Sequence, residues 1–138
     1  MAVTVGTGKF TYTVAPGWGK LPDGWDFGDV GGVATDKQDR VYVFNRGGHP
    51  MIVFDREGNF ITSWGEGVFS RPHAVMLAPD DTLWCCDDGD HTVRQCTLDG
   101  KVLLTLRGKY ATLAGDRVAS RLKQLARLVG REPLIAAG

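Results

Sequence analysis

The chain repeats itself, and the repeat limits its folds more than any other feature. Val33 aligns with Val75, an offset of 42 residues (75 − 33), and no gap is needed from residue 32 to residue 64. Within that frame Val41, Tyr42 and Val43 fall on Leu83, Trp84 and Cys85. Asn45 falls on Asp87, Gly47 on Gly89, His49 on His91, Val53 and Phe54 on Gln95 and Cys96, and Gly58 on Gly100. Sequence self-similarity at this period marks stacked supersecondary units, each burying its apolar faces against its neighbours.

Each unit reads as four short strands. In the first, the predicted strands are 32–36, 40–45, 51–55 and 60–64, with a turn at Arg56-Glu57-Gly58-Asn59. In the second they are 74–78, 82–87, 92–98 and 102–106, with turns at Pro79-Asp80-Asp81 and Leu98-Asp99-Gly100. Gly-Asn and Asp-Gly at these points supply the backbone freedom that tight turns need. Upstream, Phe10, Tyr12 and Val14 alternate with polar residues and predict one more strand, followed by a Pro-, Gly- and Trp-rich loop over 15–28. A unit of about 40–45 residues with four strands is the size of a β-propeller blade. The expected fold is therefore mainly β: about two four-stranded blades over residues 10–106, an incomplete propeller. The expected organisation is an N-terminal strand and loop (1–29), blade 1 (30–69), blade 2 (70–108) and a tail (109–138).

The tail has a different character. Val118, Leu122, Leu125 and Val129 recur at spacings of four, three and four, which predicts an amphipathic helix ending near Gly130. Seven basic residues (Arg107, Lys109, Arg117, Arg121, Lys123, Arg127, Arg131) stand there against one acid, Asp116. Over the whole chain Lys+Arg and Asp+Glu are both 16, so net charge offers no attraction to nucleic acid. No apolar run reaches the roughly 18 residues of a membrane helix. The first ten residues lack a basic n-region before an apolar stretch, so no secretory signal is expected, and a cytoplasmic location is. Cys85, Cys86 and Cys96 lack CxxC spacing and read as buried thiols in a reducing compartment.

The repeats resemble NHL repeats, the blade units of a six-bladed propeller family. Tyr42-Val43-Phe44-Asn45-Arg46-Gly47-Gly48-His49 resembles the arginine loop of the peptidyl-α-hydroxyglycine α-amidating lyases. Phe69-Ser70-Arg71-Pro72-His73-Ala74-Val75 resembles the segment in which those lyases carry a zinc-binding histidine after a proline. The resemblance covers chiefly residues 30–106. It implies His73 as a zinc ligand and Arg46 as a substrate-facing, catalytic arginine. It also implies zinc as cofactor, held by three histidines from different blades, and cleavage to a peptide amide and glyoxylate. The blades that would carry the other two histidines and the catalytic tyrosine have no counterpart in this sequence.

The residues carry simpler readings as well. Arg46 beside Gly47-Gly48 either meets an anion or pairs with Asp87 or Asp88. Arg71 joins it as a binding candidate. His49 and His91 occupy equivalent repeat positions, which favours a loop-structuring role beside a binding one. The run Asp87-Asp88-Gly89-Asp90 lacks the later glutamate of a calcium loop and reads as a solvated turn. Trp64 and Trp84 read as blade packing; Trp18 and Trp25 lie in the loop and are placed to line a surface.

Two blades alone leave apolar faces and strand edges open. Either the C-terminal helix covers them or copies assemble, three chains giving six blades and three His73 side chains around one axis. The expected function is a binding and assembly module without a complete active site, taking a small molecule or peptide. Against it stand an amidating-lyase-like zinc enzyme reconstituted by homo-oligomerisation and a fragment without selected activity.

Overall fold

The computed structural model describes residues 3–103 and 116–128. Among them, nine strands form three antiparallel sheets, none closed on itself, and one helix follows. Strands β1 (Thr4–Thr7) and β2 (Phe10–Thr13) pair as a hairpin. Strands β3 (Val30–Thr35), β4 (Val41–Asn45), β5 (Met51–Phe54) and β6 (Phe60–Trp64) form a four-stranded meander. Strands β7 (Pro72–Leu77), β8 (Leu83–Asp87) and β9 (Thr92–Cys96) form a three-stranded one. Helix α1 spans Asp116–Leu128. The stripe residue Val129 and the expected strand residues 104–106 lie outside the described residues.

The 42-residue offset is visible in the backbone. The register shift between Val30 and Gly32 recurs between Pro72 and Ala74. Asp39 and Asp81 both adopt left-handed φ, at 57° and 58°. The pairing of Phe54 with Phe60 recurs as an isolated bridge from Cys96 to Val102. One expectation is corrected: the lone N-terminal strand is half of a hairpin. Thr4–Thr7 pairs with it, a stretch whose threonines and glycine gave no apolar alternation.

Period-two alternation gives each sheet two faces. On the first sheet, Tyr42, Phe44, Met51 and Val53 share one face, because Tyr42 pairs with Val53 and Phe44 with Met51. That Tyr42 face packs on Leu83, Cys85 and Cys96 of the second sheet, with Val75, Leu77, Trp64 and Phe69 around them, as the main core. Each such side chain, fully buried, contributes about 1.5–3 kcal/mol. The opposite face, with Val43, Ile52 and Phe54, is covered by Trp18, Leu21, Trp25 and Phe27 of the loop before β3. Trp18 and Trp25 thus roof an apolar sheet. Trp18 Nε1 donates to Arg56 O at 3.1 Å, and the Lys20 and Gly58 backbones are joined at 2.8 Å, pinning the loop to the β5–β6 turn.

The two sheets differ in what covers them. Tyr42 and Met51 are 0% exposed, whereas their repeat equivalents Trp84 and Val93 are 39% and 61% exposed. Met76, paired with Trp84, is exposed beside them. The expectation that Trp84 packs between blades is corrected: the second sheet shows solvent the face that the first sheet buries. Trp64, by contrast, is buried.

Strands β3 and β7 lie against each other. A Cβ on Gly31 would sit 2.8 Å from Pro72 O and 3.0 Å from His73 Cα, and one on Gly32 would sit 2.9 Å from Val75 N. Gly31 is the repeat equivalent of His73 (73 − 42 = 31). The first repeat therefore has no histidine there because the second repeat's backbone fills the space.

Candidate functional site

Three of the residues expected at a site converge on Asp88, between the two sheets. Arg46 follows β4, Arg71 and His73 flank the start of β7, and Asp88 follows β8. Arg46 Nε donates to Pro72 O at 3.0 Å, which ties the first repeat to the second. Arg46 Nη2, Arg71 Nη1 and His73 Nδ1 lie 3.9, 3.6 and 3.6 Å from Asp88 Oδ2. Arg46 Nη1 lies 3.9 Å from Asp29 Oδ2. Asp88 Oδ1 is buried and, among the described residues, accepts no hydrogen bond.

The cluster has the symmetry of the repeat with its charges exchanged. Asp29 and Arg71 are equivalent (29 + 42 = 71), as are Arg46 and Asp88 (46 + 42 = 88). The Arg46 N–H donates to Asp29 O at 2.9 Å, and the Asp88 N–H donates to Arg71 O at 3.2 Å, the same bond in each repeat. One repeat thus carries an acid-then-base pair and the other a base-then-acid pair. The exchange sets opposite charges side by side across the junction, Arg46 facing Asp88. None of these ion pairs reaches hydrogen-bond distance, and in partly exposed positions such contacts contribute little each.

Asp87, next in the chain, is the strongest anchor here and corrects the reading of its run as a solvated turn. It is 1% exposed. Its Oδ2 accepts from Ser70 N at 2.6 Å, and its Oδ1 accepts from Arg71 N and Gly89 N, both at 2.9 Å. It therefore clamps the segment entering β7 to the turn leaving β8, and so places Arg71 and His73. Asn45, its repeat equivalent, secures only its own loop. Its Oδ1 accepts from Gly47 N at 2.8 Å, and its Nδ2 donates to His49 O at 2.9 Å. An amide suits one acceptor and one donor contact; a carboxylate suits three donors.

The two loop histidines are not brought to the cluster. His49 stacks on Trp25, with ring centroids 3.3 Å apart, and its Nδ1 lies 2.9 Å from Glu66 Oε1. His91 is exposed at the β8–β9 turn with φ 58°, a conformation His49 does not share. Equivalent sequence positions have different local structures, so a shared role is not supported by the geometry. Beside His91, Arg94 binds Asp90, which with the Thr92 hydroxyl draws the Asp90 carboxyl down to about 2.

The zinc expectation meets an unfavourable donor set within one chain. Among the described residues no group of three or more His, Cys, Asp or Glu side chains is placed to hold a metal ion. His73 is accompanied by one carboxylate and two guanidiniums, and fixed positive charge of that kind opposes a dication. The thiols offer no substitute. Cys85 and Cys96 are buried in the core, and the Cys85 thiol is pushed up by its hydrogen bond to Cys96 and by burial. Cys86 is half-buried.

Among the described residues no helix is long and apolar enough to cross a membrane. The chain matches no protein-family model and no curated protein.

Proposed function

We propose that the chain is a partial NHL-type propeller that works as a binding and assembly module, with no complete active site of its own. The observation that carries this reading is the unequal burial of equivalent faces: Tyr42 and Met51 at 0% exposure, Trp84 and Val93 at 39% and 61%. A repeat stacks by burying one face on the next unit. The second sheet has such a face and leaves it free, apolar and flanked by polar residues, as interaction surfaces are. The repeated bulges, the four-stranded meander and the side-by-side strands β3 and β7 support the blade reading. The test is sedimentation velocity of the chain against Trp84→Asp. Self-association of the parent that the charge abolishes supports an assembly module. A parent that is monomeric and binds nothing supports the fragment reading.

The convergence of Arg46 and His73, as the lyase resemblance implies, favours a second reading, a zinc lyase completed by three copies. It predicts zinc in an assembled species, lost in His73→Ala, and glyoxylate release from an α-hydroxyglycine peptide. Metal-free assemblies without glyoxylate release refute it.

A further inference from the structure

The N-terminal hairpin is a second apolar surface, joined by four residues to Trp18, which covers the side of the first sheet facing away from the second. Its register sets Val5 opposite Tyr12, and the Val14 N–H donates to Val3 O at 2.8 Å. Phe10, Tyr12 and Val14 alternate along and just past β2, so Val3, Val5, Phe10, Tyr12 and Val14 share a side with a single threonine, Thr7. The other side carries Thr4, Gly6, Thr11 and Thr13. Residues 3–16 are all exposed, so among the described residues the hairpin is not packed against the rest of the chain. A two-stranded hairpin is at best marginally stable alone in water. One with five exposed apolar side chains on one side needs a surface to lie on.

We infer that this hairpin docks its Val5–Tyr12 side onto the Met76–Trp84–Val93 face of a second copy, joining chains head to tail. The inference rests on the assembly reading above and names the partner.

Three observations select this occupant. First, the Trp84 face continues the intrachain interface, being the equivalent of the Tyr42 face that the second repeat already covers. A partner there takes the place of a next layer. Second, a plain blade-on-blade contact between copies is obstructed. The complementary face of the first sheet is roofed by the chain's own Trp18, Leu21, Trp25 and Phe27. What the next copy presents at that end is the roof and the hairpin that projects from it, four residues before Trp18. Third, the hairpin is kept from its own chain's Trp84 face by position. It leaves the body where Trp18 and Lys20 are pinned to the β5–β6 turn. Both sheets, packed about 10 Å apart, stand between that point and the Trp84 face.

The contact is heterologous, so each chain has one hairpin and one receiving face, and copies build a ring or an open row. A handful of side chains on each side is less than a standard interface, which places the affinity at micromolar or weaker.

Complementation tests this. A hairpin variant, Val5→Asp/Tyr12→Asp, keeps its receiving face. A face variant, Trp84→Asp/Val93→Asp, keeps its hairpin. All four positions are exposed, so each variant should retain the parent's far-UV circular dichroism and melting temperature. Each alone should be monomeric at 15.0 kDa. Mixed in equal amounts, they should form a capped pair of twice that mass, with self-association of each parent surface weakened at least tenfold in the single variants. A hairpin variant that associates like the parent, while the face variant does not, overturns the docking and leaves the assembly reading standing. Two monomeric variants that stay monomeric when mixed overturn it too, because the intact hairpin of one then fails to bind the intact face of the other. A parent chain monomeric throughout removes both readings together.

Discussion

Replacing Asp87 by alanine should unfold more of this protein than any surface substitution near it. The carboxylate is 1% exposed and receives three backbone N–H groups at 2.6–2.9 Å, from Ser70, Arg71 and Gly89. Hydrogen bonds to a charged acceptor are worth about 1.5–3 kcal/mol each. Ser70 and Arg71 are at the surface, where water replaces part of what is lost. The sum is then about 3–5 kcal/mol, a melting temperature lower by about 10–20 °C or more for a chain this small. Asp87→Asn keeps one acceptor oxygen but turns an amide NH2 toward an N–H donor, so it should lose about 2 kcal/mol. The assay is urea unfolding followed by tryptophan fluorescence, at one fixed protein concentration because association adds to apparent stability. An alanine variant within about 1 kcal/mol of the parent would refute the clamp, as would an asparagine variant worse than the alanine one.

Other substitutions separate the equivalent positions and the charge networks. Tyr42→Ala should cost about 3–5 kcal/mol, while Trp84→Ala, measured on dilute monomer, should cost below about 1 kcal/mol; equal losses would contradict the open face. Gly31→Ala forces a methyl to within 3.0 Å of the Pro72 carbonyl oxygen and the His73 backbone, so it should destabilise by about 1–3 kcal/mol in the same urea assay. Trp64 is buried with Nε1 unpartnered, so Trp64→Phe should lie within about 1 kcal/mol of the parent despite the smaller ring. Stability should also fall at high pH through Tyr42. Burial and its hydrogen bond to Asp36 push the phenol up to about 12, so its contribution is complete below about pH 10 and lost between there and about pH 12. Tyr42→Phe should remove that step. At the acid end, burial raises the Asp36 carboxyl, but hydrogen bonds from Arg40, Tyr42 and Gln38 outweigh it and hold it below the ordinary range. Its contribution is therefore present above about pH 4 and is lost as pH falls below that.

What could be read from the sequence was what the repeat makes periodic. Strand order, meander connectivity and the turn glycines follow from local pattern, and they recur at one offset in the structure. The features that escaped depend on neighbours distant in the chain. Tyr42 and Trp84 are equivalent residues, but only Tyr42 has a sheet in front of it, so a packing role did not transfer. Asp87 sits in a string of aspartates and glycine that reads as a wet turn. Its burial comes from Ser70 and Arg71, carried to it by the strand pairing of β7 with β8. The partnership of Arg46 with Asp88 was among the pairings open from the sequence. The role of Asp29 was not, although the signal was present: equivalent positions of opposite charge, 29 with 71 and 46 with 88. His49 and His91 show the limit of equivalence. A tryptophan in the upstream loop gives one of them a stacking partner, and a left-handed backbone turns the other outward. The partner strand of the hairpin stayed hidden because Val3 and Val5 give only one step of apolar alternation before Gly6 and Thr7 end it.

The central claim is that the second repeat presents an open, apolar face that another copy covers. Light scattering coupled to size exclusion, run over a concentration series reaching about 300 μM, tests it most directly. The account predicts a weight-average mass that rises with concentration from 15.0 kDa toward multiples of it. A mass of 15.0 kDa at every concentration would contradict it.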